Sequence, residues 1–142
     1  GLVGSEMCIR DRDKSDEIYI DLINVDSLDA QALNNYAYSL VERNENLNKA
    51  LKMAKKAISL EPKNASYLDT IGWIYFKLNK IDKAKEYLES SLEIVKDNSV
   101  VLEHLGDVLM KDNKQKEAID YYKRALALDK DNPKLIKKVS LE

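Results

Sequence analysis

An all-α chain of repeated antiparallel helix pairs is the fold class that the sequence predicts, and three observations predict it. With 4 Gly and 2 Pro in 142 residues, against many Lys, Glu, Leu and Ala, the composition favours helix over the turn-rich pattern of all-β domains. Gly72 and Gly106 stand 34 residues apart, and Ala50, Ala84 and Ala118 repeat that interval twice. Around these small residues, apolar side chains recur at intervals of three and four on both sides of a short polar turn.

Charge and hydropathy narrow the function classes. The 23 Lys+Arg nearly balance the 25 Asp+Glu, giving −2 with one His. The broad positive field that a phosphate backbone or an anionic lipid surface requires is missing, so nucleic acid is not an expected partner. The longest mostly apolar run, residues 71–76, falls far short of the roughly 18–20 residues of a bilayer span.

The elements follow in chain order. Residues 1–12, GLVGSEMCIRDR, resemble the translation of a transposase-type sequencing-library adapter and are set aside as non-native. A targeting segment is the competing reading, but Glu6 and Asp11 interrupt it and no apolar core of about 7–15 residues follows. Cys8, the only cysteine, falls in this stretch, which leaves no thiol for a disulfide or a zinc site. The natural start is expected to be missing, which leaves localisation open between the cytoplasm and a bacterial periplasm or outer membrane. Residues 13–29 read as the second helix of a truncated repeat, since Ser15, Tyr19, Leu22 and Val25 keep helical spacing; the β-branched alternation of residues 18–25 is the competing strand signal.

Three whole units follow at 30–64, 65–98 and 99–132. Leu68-x-x-Ile71-Gly72-x-x-Tyr75 matches Leu102-x-x-Leu105-Gly106-x-x-Leu109, and Leu33-x-x-Tyr36-Ala37-x-x-Leu40 is a weaker copy. Asn44-Glu45-Asn46, Asn79-Lys80 and Asn113-Lys114 are the turns inside the units; Pro, Asp and Asn clusters near 62, 97 and 131 separate them. A mid-helix glycine costs about 1 kcal/mol relative to alanine, so Gly72 and Gly106 imply close approach of the paired helix. Residues 133–142 begin one more amphipathic helix with a basic outer face, suited to cap a repeat array.

This pattern resembles the tetratricopeptide repeat family over residues 30–132. The resemblance implies a right-handed α-solenoid of helix pairs whose first helices line a concave groove. Ser91, where alanine is usual, is one departure. The combination of Asn34-Asn35-Tyr36, Gly72-Trp73 and His104-Leu105-Gly106-Asp107 is similar to the last repeats of long bacterial, often exported, members. By the same resemblance the groove should present Gln31, Asn34, Tyr38, Val41 and Glu42, then Ser66, Asp69, Trp73, Phe76 and Lys77. The third repeat should add Val100, Glu103, Asp107, Met110 and Lys111. Of these, Asn34, Tyr38, Asp69, Trp73, Phe76, Lys77, Glu103, Asp107, Met110 and Lys111 are the candidate partner-binding residues.

Trp73 and Phe76, the sole Trp and Phe, either anchor a ligand or pack between neighbouring helices. The carboxylate clamp of some family members is absent, because Asn34, Tyr38, Thr70, Val100 and His104 occupy the matching places. Glu42, Asp69, Glu103 and Asp107 against Lys77 and Lys111 give the groove a count of −2, which favours a neutral or basic segment with an apolar anchor. The leading expectation is a non-catalytic protein-protein interaction scaffold, a fragment of a longer protein, with no cofactor. A structural or dimerisation segment that self-associates through Leu135 or Ile136 of the C-terminal helix is the alternative. A weak metal or acid-base site at Glu103, His104 and Asp107 comes third.

Overall fold

The computed structural model describes residues 29–141; the stretch read as adapter (1–12) and, except for its final residue Asp29, that read as a truncated helix (13–29) lie outside the described residues. The described residues form seven α-helices: α1 (Ala30–Glu42), α2 (Leu47–Leu60), α3 (Ala65–Lys77), α4 (Ile81–Ile94), α5 (Ser99–Lys111), α6 (Gln115–Leu128) and α7 (Pro133–Val139). None is long and apolar enough to cross a membrane. The chain divides into two compact units at Pro62/Lys63, so α1 and α2 form one described unit and α3 to α7 the other.

Two kinds of polar signal set the helix ends. Asp29, Asn64, Asn98 and Asn132 sit in extended conformation before α1, α3, α5 and α7, and each side chain accepts from a backbone N–H of the first turn, as Ala32 N to Asp29 Oδ1 at 3.0 Å. Each such cap is worth about 1 kcal/mol. Between paired helices the chain turns through Asn44, Asn79 and Asn113, all with positive φ. There Lys80 N donates to Tyr75 O at 2.8 Å and Asn79 N to Phe76 O at 2.9 Å, satisfying carbonyls the helix end would leave bare. The α5–α6 turn repeats this with Lys114 to Leu109 and Asn113 to Met110. The first turn is longer and places a second residue, Asn46, at positive φ.

In the first unit α1 packs on α2 through small residues, with Ala37, Ala50 and Ala54 fully buried. In the second, α3 pairs with α4 and α5 with α6, while α4 contacts α5 and α6 contacts α7. The glycines stand where the sequence requires close approach. A Cβ on Gly72 would lie 2.7 Å from Leu88 Cγ, and one on Gly106 would enter the Tyr122 ring. Ser91 is buried for a polar reason: its hydroxyl donates to the Ala65 carbonyl at 2.8 Å, tying α4 to the start of α3. Leu135 of α7 is 1 % exposed and completes a core with Leu102, Leu109, Ala118, Tyr122 and Ala125. Leu135, one of the two residues named for self-association, is thus packed within its own unit. Ile136 stays exposed.

Candidate functional site

In the second unit α3 and α5 lie side by side, and the residues they present to one face meet across the repeat boundary. The Trp73 indole stacks on the His104 imidazole with ring centres 3.9 Å apart and on the Phe76 ring at 4.7 Å, each pair within 17° of parallel. Both Trp73 and Phe76 are half-buried. The two readings of these rings therefore meet in one arrangement: they pack between helices and still present part of their surface. Lys77 Nζ lies 5.1 Å from the centre of the Trp73 ring and Lys111 Nζ 5.3 Å from that of Phe76, distances at which a cation is attracted to the ring face.

The acidic residues of this face are engaged. His104 Nδ1 lies 2.8 Å from Asp69 Oδ1; a carboxylate only accepts, so this nitrogen carries the hydrogen. Lys138, in the last turn of α7, donates to Glu103 Oε2 at 2.6 Å and to Asp107 Oδ1 at 2.9 Å. The Tyr122 hydroxyl donates to the same Asp107 oxygen at 2.6 Å. Burial pushes the Tyr122 phenol above its ordinary range, reinforced by its hydrogen bond to Asp107 and by the charges of Asp107 and Glu103. For Lys138 burial works the other way, but the hydrogen bonds and charges of Glu103 and Asp107 outweigh it and raise its pKa.

These contacts change the charge expectation. In this unit the three carboxylates Asp69, Glu103 and Asp107 are equalled in number by Lys77, Lys111 and Lys138, but they are contacted by His104 and Lys138 alone, while Lys77 and Lys111 lie over aromatic rings. On the C-terminal helix Lys134 and Lys137 are exposed and give the outer face its basic character, while Lys138 turns inward. The Glu103, His104 and Asp107 trio does not converge: His104 faces Asp69, and both carboxylates face Lys138. Among the described residues no group of three His, Cys, Asp or Glu could hold a metal ion.

The structure brings together Asp69, Trp73, Phe76, Lys77, Glu103, Asp107 and Lys111. Met110 is half-buried on the same helix. In the first unit Tyr38 is exposed, whereas Asn34 is 9 % exposed with no partner for its Oδ1 among the described residues, and Val41 is 1 % exposed. Those last two residues, expected on the groove, belong to the interior. Missed in the sequence were His104 as partner of both Asp69 and Trp73, and Lys138. Their signal was in the period: Asp69 and Glu103 are 34 residues apart, and so are His104 and Lys138.

Known proteins are similar to this chain in fold. A family model described as anaphase-promoting complex, cyclosome, subunit 3 matches residues 43–125. No curated protein sequence matches the chain. Among solved structures, MamA is similar with a TM-score of 0.80 at 16% identity, covering 93% of this chain and 78% of MamA. Pseudomonas aeruginosa PilF gives 0.73 at 26% identity, covering 89% of this chain and 59% of PilF. YrrB, described as a tetratricopeptide protein with an unusual peptide-binding site, gives 0.73 at 26% identity, covering 85% of this chain and 62% of YrrB.

Proposed function

We propose a function for a chain that belongs to the tetratricopeptide-type repeat family, through the model described as anaphase-promoting complex, cyclosome, subunit 3: it is a non-catalytic scaffold that holds a peptide or helix of a protein partner on its α3–α5 face. The observation that carries this reading is the stacked group of Trp73, Phe76 and His104, half-buried, with lysines over two of the rings. Rigid, partly exposed aromatics supply large contact area at small entropic cost, which is why binding energy concentrates on them. The fold supports an interaction scaffold, and the peptide-binding site named for YrrB is a precedent at 26% identity. Catalysis gains no support from the geometry, because each carboxylate and the imidazole of the candidate site is committed to a neighbouring side chain.

The test is selection of a displayed short-peptide library against the full chain, followed by binding of the selected peptides to wild type and to Trp73→Ala. Loss of about tenfold or more in affinity for Trp73→Ala is expected. Peptides that all bind the variant as tightly as wild type would remove the face from consideration.

A further inference from the structure

The sign of charge left unpaired on the α3–α5 face indicates what the ligand carries beside its anchor. Asp69 is engaged by His104, and Glu103 and Asp107 share Lys138. The neighbouring Asp112 is turned toward Lys114 at 3.5 Å. Lys77 and Lys111 are exposed, and among the described residues their contacts are the faces of Trp73 and Phe76. Those two rings stack on each other at 4.7 Å, so the two ammonium groups flank one aromatic patch. Lys77 and Lys111 also hold the same place in successive repeats, 34 residues apart. A cation resting on a ring keeps its outward hydrogens in water, available to a carboxylate arriving from the partner.

We propose that this patch receives an acidic internal segment of a protein partner, in which an apolar or aromatic side chain lies on Trp73 and Phe76 while an adjacent Asp or Glu carboxylate is taken by Lys77 and Lys111. The proposal rests on the α3–α5 face being the binding face, and it reverses the preference that the first-helix charge count implies.

The experiment uses the full chain and the peptides selected from the library, synthesised with blocked ends, in three forms: as selected, with each acidic residue changed to Gln, and with each changed to Lys. Binding is read from the fluorescence of Trp73. The selected peptides are expected to be acidic beside an apolar residue, and to lose about tenfold or more in affinity as the Gln form and further as the Lys form. Lys77→Gln with Lys111→Gln should remove the difference between the acidic and Gln forms. Lys77→Glu with Lys111→Glu should make the Lys form the tightest. Trp73-dependent peptides that are neutral or basic, or acidic ones that bind the double Gln variant unchanged, would overturn this inference alone. A library that yields no Trp73-dependent peptide would overturn the binding face itself, and this inference with it.

Discussion

The Asp69 carboxylate and the His104 imidazole meet at 2.8 Å across 35 residues of chain, and Glu103 meets Lys138 at 2.6 Å across the same 35. The contact is therefore a repeating one: an acidic residue in one first helix accepts from a basic residue in the next. Residues four positions on take part as well, Trp73 stacking on His104 and Asp107 accepting from Lys138. This ladder fixes the orientation of the rings on the α3–α5 face. Asp69→Asn and His104→Ala should be non-additive in a double-mutant cycle, with a coupling of about 1 kcal/mol. His104→Ala should also shift Trp73 emission to the red as water replaces the imidazole. Additive single losses with unchanged emission would show that the pair does not hold the indole.

Gly72 and Gly106 invert the usual effect of alanine. At an exposed helical site Gly→Ala stabilises by about 1 kcal/mol. Here the added Cβ meets Leu88 or Tyr122, and Gly72→Ala and Gly106→Ala should each cost about 1–3 kcal/mol. Urea unfolding decides the sign, and stabilisation at either site would contradict the close packing.

The last helix is a part of the fold. Leu135→Ala should cost about 2–5 kcal/mol through the cavity it opens, with no change of oligomeric state on sizing. Ile136→Ala should stay within about 0.5 kcal/mol of wild type. Self-association abolished by Ile136→Ala would restore the α7 surface as an interface.

Alkaline pH should weaken the second unit. The Tyr122 and Lys138 pKa values are both raised in the folded chain, so their contribution is complete below the unfolded values of about 10 to 10.5 and is lost as pH rises above them. The urea midpoint should fall between neutral pH and about pH 11. Tyr122→Phe, which leaves nothing to ionise at this position, should flatten that fall. An equal or steeper decline in Tyr122→Phe would show that the buried phenol is not its source.

Much of the fold was legible because its signals are local or periodic. Small residues at 72 and 106 imply a close partner helix, and asparagine at 64, 98 and 132 implies a helix start. The site was legible in part. Trp73 and Phe76 stand out by type and spacing, but which groups face them depends on the neighbouring repeat. The inward turn of Lys138 is not legible in α7 alone, because that helix does not show that α5 lies within its reach. Asn34 and Val41 were placed on the groove from repeat position alone, and burial is a property of the packed neighbours. Ser91 read as a departure until the Ala65 carbonyl supplied its partner.

The measurement that tests the binding face most directly is titration of the chain with a library-selected peptide while the indole N–H resonance of Trp73, the only tryptophan, is followed by NMR. The expected result is a shift that saturates at the affinity found by calorimetry. A peptide that binds by calorimetry and leaves the Trp73 resonance in place would contradict it.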